Sequence, residues 1–254
     1  MILLGNFDTA RPKRQAVTIL TGDVFGRTDI LAGQAEGSPH AYLVEQSPDV
    51  SLPPHFHLTE QFQIVVAGSG MLGRSHLLAP ITIHYARAKT GYGPIVAGPD
   101  GLSYLTLRPR VEYGGHYLSD PKTRIDREAP KLQATSAHVP LTQLQSTAGI
   151  ENAAQTTLLE PGVGRPAAWL SRLMPADLLE VPANYGPTGR FYVVASGNAS
   201  VAGETLPPWS CIWEPAGERL ASIKAGAQGA EIITLQFPDN RPPPAPVPSS
   251  STSS

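Results

Sequence analysis

The chain has 254 residues with a formal net charge of −2 at pH 7, and 41% of its residues are hydrophobic. This length suffices for one large all-β domain or two small ones. The slight negative charge is unlike a nucleic-acid-binding surface, and no stretch approaches the roughly 18 consecutive apolar residues of a membrane span. We therefore expect neither a nucleic acid nor a membrane as a partner.

The N-terminal segment MILLGNFDTARPKRQ has four apolar residues before polar ones, which is too few for the apolar region of a signal peptide. The single cysteine, Cys211, excludes an internal disulfide and a cysteine-only zinc site. Both features predict a reducing, cytoplasmic location. Cys211 has no cationic neighbour in the sequence, so we expect a buried, unreactive thiol.

Short runs rich in Val, Ile, Leu, Tyr and Thr recur along the chain between turn signals supplied by 26 prolines and 24 glycines. Their regular spacing predicts a β-sandwich or barrel. The glycine-rich segment 91–101 is interpreted as a turn, and His40, His76 and His138 lie in turn-like contexts that predict exposure to solvent. The predicted strands are 41–46, 62–67, 79–86, 94–98, 102–109, 190–196, 210–215 and 230–237.

The two halves of the chain resemble each other. The segment QFQIVVAGSG (61–70) aligns with RFYVVASGNA (190–199), and SYLTLRP (103–109) aligns with IITLQFP (232–238) at nearly the same offset. A repeat of this length indicates two copies of one supersecondary unit, here a duplicated small β-barrel. The matched residues in the first pair of segments include Phe62 with Phe191, Val65 with Val194, and Gly68 with Gly197.

The first copy carries a histidine motif, PPHFHLTEQFQIVVAGSG (53–70). It resembles the first motif of the cupin family, in which Gly, five residues, His-x-His, three or four residues, Glu, six residues and Gly follow one another. His55 and His57 match the histidines and Gly68 matches the last glycine, but the glutamate position holds Gln61. Glu60 is one residue out of register and therefore faces the opposite side of a strand unless a bulge intervenes.

The resemblance implies an all-β fold of two tandem cupin-like (jelly-roll) β-barrels joined by a short linker. The predicted N-terminal barrel, residues 1–118, carries the site, and a polar linker spans 119–155. A degenerate C-terminal barrel spans 156–239, and a disordered tail rich in Pro and Ser spans 240–254.

The C-terminal copy is called degenerate because it lacks the metal-binding residue types. Asn184, Gly186 and Arg190 stand where the first copy has its histidines and glutamine, and Leu220 stands at the histidine position of the second cupin motif. We expect this copy to serve structure, packing or dimerisation.

The physical argument for a metal site begins with strand geometry. Residues i and i+2 of a strand share a face, so His55 and His57 point together into a barrel, and neutral imidazole suits Zn, Cu, Fe and Ni. A third ligand is needed, and Gln61 offers an uncharged carbonyl oxygen. The counterpart of the family's second motif, 86–93, contains no histidine. Candidates near it are Tyr92 and, on the preceding strand, His84. His116 is a more distant option.

The resemblance implies a metal-dependent enzyme acting on a small organic molecule, with a non-haem metal dioxygenase as the leading hypothesis. His55, His57 and Gln61 would hold one divalent metal, Fe as first choice with Mn, Ni, Cu or Zn as alternatives. Tyr92 and His84 would orient the substrate or move a proton.

Three alternatives remain open: a cupin isomerase or lyase, a metal-free catalyst with a histidine base, and a non-catalytic small-molecule-binding barrel. A homodimer is expected by family analogy. Four arginines near the first barrel are compatible either with an anionic substrate or with simple solvation: Arg74, Arg87, Arg108 and Arg110.

Overall fold

The computed structural model of the chain describes residues 1–33, 35–141, 154–179 and 188–239. This part of the chain is almost entirely β-structure, with one short helix, α1 (Phe7–Ala10), followed by a 3-10 turn at Arg11–Lys13. Neither helical segment is long and apolar enough to cross a bilayer.

The described strands fall into two groups along the chain. The first group is β1 (Leu3–Gly5), β2 (Gln15–Thr18), β3 (Val24–Leu31), β4 (His40–Gln46), β5 (Ser51–Leu52), β6 (His55–Phe56), β7 (Gln61–Leu72), β8 (His76–Leu78), β9 (Ile83–Ala86), β10 (Ile95–Arg108), β11 (His116–Tyr117) and β12 (Gln133–Thr135). The second group is β13 (Ala154–Leu159), β14 (Ala167–Leu173), β15 (Leu178–Leu179), β16 (Arg190–Val201), β17 (Glu204–Leu206), β18 (Cys211–Glu214) and β19 (Ile223–Gln236).

Within the described residues these strands form two large antiparallel sheets and a short ribbon. The first sheet has the order β12-β9-β7-β10-β4-β3-β2, with β5 beside β10 and β8 beside β7. The second has the order β1-β18-β16-β19-β14-β13, with β15 beside β19 and β17 beside β16. Among the described strands β6 and β11 pair only with each other, and His55 of β6 forms a further bridge to Tyr92. Because β1 pairs with β18, the N-terminal strand belongs to the second sheet.

The two sheets repeat the same pattern of strands. Strands β7 and β16 each have 12 residues, and β10 and β19 each have 14. The central registers also correspond, since Phe62 pairs with Leu107 in the first sheet and Phe191 pairs with Leu235 in the second. This is the all-β, two-barrel architecture that the internal repeat predicts.

Side chains along each strand alternate between the interior of the barrel and the face that packs against the other sheet. On β7, Phe62 and Ile64 join the apolar cluster that both sheets contribute to, and the Phe62 ring lies 4.9 Å from Phe237 of the other half. Gln61 and Gln63 face the interior of the first barrel, where they contact other polar side chains. The sequence therefore directs polar groups inward at one end of this barrel.

Several strand predictions need correction. The predicted strands 94–98 and 102–109 belong to one strand, β10, and the glycine-rich segment between them is a wide irregularity in its pairing with β7 rather than a separate turn. Strands β3 and β14 were not predicted. His40 was predicted to be solvated, but it is 1% exposed and its Nε2 lies 3.0 Å from Asp29 Oδ1. Cys211 is buried, as predicted.

The predicted linker, 119–155, contributes β12, which pairs with β9 of the first sheet. The predicted tail, 240–254, lies outside the described residues, as do Asn184 and Gly186. The domain boundaries therefore stay predictions.

Close packing against the neighbouring strand explains why the motif has a glycine at position 68. The φ of Gly68 is +72°, and a Cβ placed on it would lie 2.1 Å from the carbonyl oxygen of Gly101. We expect Gly68→Ala to lower the free energy of unfolding by about 2 kcal/mol, because left-handed backbone strain of roughly 1–2 kcal/mol adds to this clash. Gly22→Ala is the matched control, since Gly22 also has a positive φ but open space around it. Equal losses in urea unfolding would show that the contact with Gly101 is unimportant.

Candidate functional site

The two motif histidines lie beside Tyr92 in the first barrel. His55 and Tyr92 exchange two backbone hydrogen bonds of 3.1 and 3.0 Å, which fix the loop carrying Tyr92 against β6. The ring centroids of His55 and His57 are 5.2 Å apart, and those of His55 and Tyr92 are 4.5 Å apart. All three side chains are buried. The structure therefore brings together three of the residues singled out in the sequence.

Gln61 completes this cluster through its amide group. Its Nε2 donates to the hydroxyl oxygen of Tyr92 at 2.6 Å, and its Oε1 accepts from Nε of Arg108 at 3.0 Å. Both ends of the Gln61 side chain are thus engaged inside the barrel. A glutamate at this position would accept from both the Tyr92 hydroxyl and Arg108, so this bonding is compatible with either residue and does not explain the departure from the cupin motif.

Arg108 is the central cation of the site. It is the last residue of β10 and is only 2% exposed. Besides its bond to Gln61, its Nη2 lies 2.9 Å from Nε2 of His57 and its Nη1 donates to the backbone carbonyl of Glu112 at 2.8 Å. Because a guanidinium only donates, His57 accepts through Nε2 and carries its hydrogen on Nδ1.

Glu112 closes the polar network on the side away from Gln61. Its two carboxylate oxygens accept from the backbone N–H groups of Leu58 and Thr59, each at 2.9 Å. His57 Nδ1 lies 3.5 Å from Glu112 Oε1, at the outer limit of a hydrogen bond. Arg108, His57 and Glu112 therefore form a chain of alternating charge in which the imidazole is the neutral middle member.

The ionisation of these groups follows from burial. Burial, reinforced by neighbouring positive groups, lowers the pKa of His55 to about 3 and that of His57 to about 4. Burial alone would raise the pKa of Glu112, but His57 and the two backbone N–H groups hold it at about 2. At neutral pH the imidazoles are therefore uncharged, while the carboxylate and the guanidinium are charged.

His84 lies near this cluster but is engaged elsewhere. Its Nδ1 is 2.9 Å from Oε1 of Gln63 and its Nε2 is 3.4 Å from Oε1 of Gln133, while its ring packs 5.1 Å from that of Tyr92. Burial lowers its pKa to about 4. His116 stacks on Phe56, on the face of the ribbon away from His55, and its side chain is 42% exposed.

A cavity of about 140 Å³ opens beside the cluster. His55, His57, Tyr92 and Arg108 line it, whereas His84 and Gln61 lie behind its wall. The ring nitrogen Nδ1 of His55 is held by the carbonyl of Pro53 at 2.8 Å. Its Nε2 has no hydrogen-bond partner among the described residues and is the free imidazole nitrogen next to the cavity.

Sequence reasoning placed His55, His57, Gln61 and Tyr92 in one site but missed the roles of Arg108 and Glu112. For Arg108 a signal existed, because it shares one strand face with residues 104 and 106, while the other face carries Leu105 and Leu107. Glu112 lies in a loop, and no pattern in the sequence connects it to His57.

Comparisons with known proteins agree on the fold. A candidate dioxygenase from Nostoc punctiforme PCC 73102 has a TM-score of 0.62 at 12% identity, covering 96% of this chain and 85% of its own. The pirin YhhW from Escherichia coli, solved with nickel(II), has a TM-score of 0.57 at 13% identity. The match covers 94% of this chain and 99% of the pirin. The quercetin 2,3-dioxygenase from Acinetobacter baumannii has a TM-score of 0.51 at 16% identity. The match covers 94% of this chain and 79% of the dioxygenase.

The chain shares its all-β, cupin-like jelly-roll fold with these three proteins. No protein-family model and no curated protein sequence matches it. At identities this low the likeness concerns the backbone arrangement, so the chemistry must be argued from the side chains.

The side chains do not fit a divalent metal. Within the described residues, no three His, Cys, Asp or Glu side chains group closely enough to hold an ion. Two of the three predicted ligand atoms, His57 Nε2 and Gln61 Oε1, already accept hydrogen bonds from Arg108. A metal needs the same lone pairs. It would also face a permanent positive charge, which costs about 4 kcal/mol per unit of ion charge at 4 Å in a medium of dielectric constant 20.

Proposed function

We propose that this protein binds a small organic molecule in the cavity of its N-terminal barrel without a metal ion, with Arg108 as the cation of the site. The observation that carries the proposal is the pair of hydrogen bonds from Arg108 to His57 Nε2 and Gln61 Oε1. The guanidinium thus engages two of the atoms that the histidine motif would offer to a metal. Of the hypotheses from the sequence, this corresponds to the small-molecule-binding barrel.

The electrostatics support this proposal. A metal site built from neutral ligands and filled by a divalent ion would carry two positive charges in addition to that of Arg108. Without the metal, the positive charge of Arg108 faces the negative charge of Glu112 across His57, and the Nε, Nη1 and Nη2 atoms of Arg108 each donate a hydrogen bond. Buried charges are tolerated when they are paired and hydrogen-bonded in this way.

A metal-dependent enzyme, with a dioxygenase as its leading form, is the second candidate. The observation in its favour is the side-by-side placement of the two imidazoles, with Nε2 of His55 free next to the cavity. Two of the proteins that share the fold are described as dioxygenases and one was solved with nickel. In this alternative Arg108 would have to leave His57 and Gln61 before an ion could bind, and Tyr92 and His84 would keep their proposed catalytic roles.

The C-terminal barrel is proposed to be the degenerate copy. Arg190 begins β16 as Gln61 begins β7, and it lies 3.7 Å from the carboxylate of Glu214, which also accepts from the hydroxyl of Tyr192 at 2.6 Å. These three side chains are buried, so an ion pair and a tyrosine occupy the interior there. The predicted homodimer, the cytoplasmic location and the domain boundaries stay part of this proposal.

Elemental analysis tests the choice between the two candidates. The full chain is incubated with Fe(II), Mn(II), Ni(II) or Zn(II), desalted and analysed. We expect less than about one tenth of a metal per chain, because the ligand lone pairs are taken by Arg108. About one metal per chain that is lost in His55→Ala/His57→Ala, but retained in the control His76→Ala/His138→Ala at two exposed histidines, would overturn the proposal in favour of the enzyme.

A further inference from the structure

The cavity of the first barrel has a charge pattern that its fold does not require. Arg27 and Arg108 both line it, and none of the described lining residues is Asp or Glu. The histidines that line it are neutral, since burial holds the pKa values of both well below 6. Its fixed charges are therefore two guanidinium groups.

Arg108 keeps part of its hydrogen-bonding capacity for a ligand. A guanidinium has five N–H groups, and the described contacts of Arg108 use one on Nε, one on Nη1 and one on Nη2. One N–H on each terminal nitrogen has no partner among the described residues. A carboxylate can accept from two such groups at once.

Arg27 lies beside the same tyrosine ring as Arg108, that of Tyr42. Its Nε and Nη2 donate to Asp29 at 3.0 and 2.7 Å, which leaves both N–H groups of Nη1 without a partner among the described residues. Its guanidinium carbon lies 4.1 Å from the centroid of the Tyr42 ring, and that of Arg108 lies 5.6 Å from the same centroid. Both cations therefore border one aromatic ring that itself lines the cavity.

The acidic partners of the two arginines lie outside the cavity lining. Asp29 binds Arg27 and Glu112 binds the Arg108–His57 pair, but neither contributes to the cavity wall. They hold the guanidinium groups in position without covering the cavity side. A negative group entering the cavity would meet N–H donors and no like charge.

Apart from Gln63 and Thr106, the rest of the described lining is mainly apolar and aromatic. It includes Phe25, Val44, Leu52, Tyr104 and Tyr117. The cavity volume of about 140 Å³ is close to that of an apolar protein cavity of roughly 150 Å³ that holds benzene. The room beside the arginines thus suits one ring or an aliphatic body of similar size.

We infer that the ligand of this cavity is a small monocarboxylate with a single-ring or equally compact apolar body, its carboxylate held by Arg27 and Arg108. The inference rests on the proposed metal-free binding function, which it makes more specific. The apolar body would lie among the aromatic and aliphatic side chains, where its burial contributes affinity.

Isothermal titration calorimetry on the full chain, with EDTA present, tests the ligand class with three probes. Benzoate has the charge and the ring, benzamide has the same shape without the charge, and acetate has the charge without the ring. We expect benzoate to bind at least tenfold more tightly than either of the others, because hydrogen bonds to a charged group and apolar burial both contribute.

Two arginine variants test whether benzoate binds at the proposed residues. Arg27 is partly exposed and can be changed without leaving a buried cavity, so Arg27→Gln is expected to weaken benzoate binding at least tenfold and benzamide binding less than twofold. Arg74→Gln, at an exposed arginine outside the cavity, is the matched control and should leave benzoate binding unchanged. Circular dichroism confirms that both variants are folded.

Three results would overturn the inference: equal affinities for benzoate and benzamide, no binding of benzoate at millimolar concentration, or equal effects of Arg27→Gln and Arg74→Gln. Tight binding of benzamide would leave the metal-free cavity standing and change only the ligand class. The proposed metal-free function would fail on a different result, namely a stoichiometric metal held by His55 and His57 in the elemental analysis.

Discussion

Arg108→Met is expected to lower the free energy of unfolding by about 3–5 kcal/mol, since it removes one member of a buried charged network. The substitution leaves Gln61 Oε1 and His57 Nε2 without donors and removes the hydrogen bond to the backbone carbonyl of Glu112. Methionine is apolar and fills much of the same space, so the loss reflects unpaired polar groups rather than an empty cavity. Urea unfolding followed by circular dichroism measures it as a lower midpoint at an unchanged slope.

Arg110→Met is the matched control for this prediction. Arg110 lies two residues further along the chain and is exposed, so its replacement should change stability by no more than about 0.5 kcal/mol. Arg108→Lys should fall between the two, because an ammonium keeps the charge but cannot reproduce the planar fork that reaches three partners. A loss below about 1 kcal/mol in Arg108→Met would show that the guanidinium does not hold the network together.

The histidine motif predicted that His55, His57 and Gln61 lie close together, and they do, although they fall on β6, on the segment after it and on β7 rather than on one strand. Gln61, His55 and His57 are local in sequence, and their spacing to Gly68 reflects a real constraint, the close approach of Gly68 to the Gly101 carbonyl. The repeat at a constant offset likewise predicted two sheets, because matching strands form at matching places in both halves.

What the sequence did not predict depends on contacts between distant strands. The contact between Arg108 and Gln61 spans 47 residues, and that between Arg108 and His57 spans 51. Nothing local distinguishes this arginine from the exposed Arg110, which would share its face by strand alternation; the two differ because β10 ends at Arg108. His40 was misjudged for the same reason: it shares the inward face of β4 with Tyr42, and the turn before it concealed that register.

The linker prediction failed to anticipate β12 for a related reason. Residues 133–135 have little strand character of their own and form a strand because β9 offers them an edge. Edge pairing of this kind depends on tertiary context more than on residue preference.

Acid sensitivity above pH 4 is the second large effect that we expect. Burial lowers the pKa of His84 from 6.5 to about 4, so this imidazole stays neutral in the folded chain while it takes up a proton in the unfolded chain below pH 6.5. The unfolded state then binds more protons than the folded state, and stability falls as the pH is lowered from 6.5 towards 4. At about pH 5 the loss from His84 is on the order of 2 kcal/mol.

His55 and His57 have pKa values lowered in the same direction, to about 3 and about 4, so the three buried imidazoles together should cost on the order of 6 kcal/mol at about pH 5. Glu112 acts in a lower window, because a carboxylate with a pKa of about 2 stabilises the fold above its unfolded value of 4.5 and loses that contribution only as the pH falls towards 2.

Urea unfolding at several pH values between 7 and 5 measures how the free energy of unfolding changes with pH. Two variants show how much of that change is due to His84. His84→Gln, which retains a hydrogen-bonding side chain but cannot titrate, should lose on the order of 2 kcal/mol less than the unchanged chain over this range. His138→Gln, at an exposed histidine, should follow the unchanged chain. If all three chains had the same slope, His84 would titrate normally in the folded state, and the buried environment that separates it from solvent would have to be reconsidered.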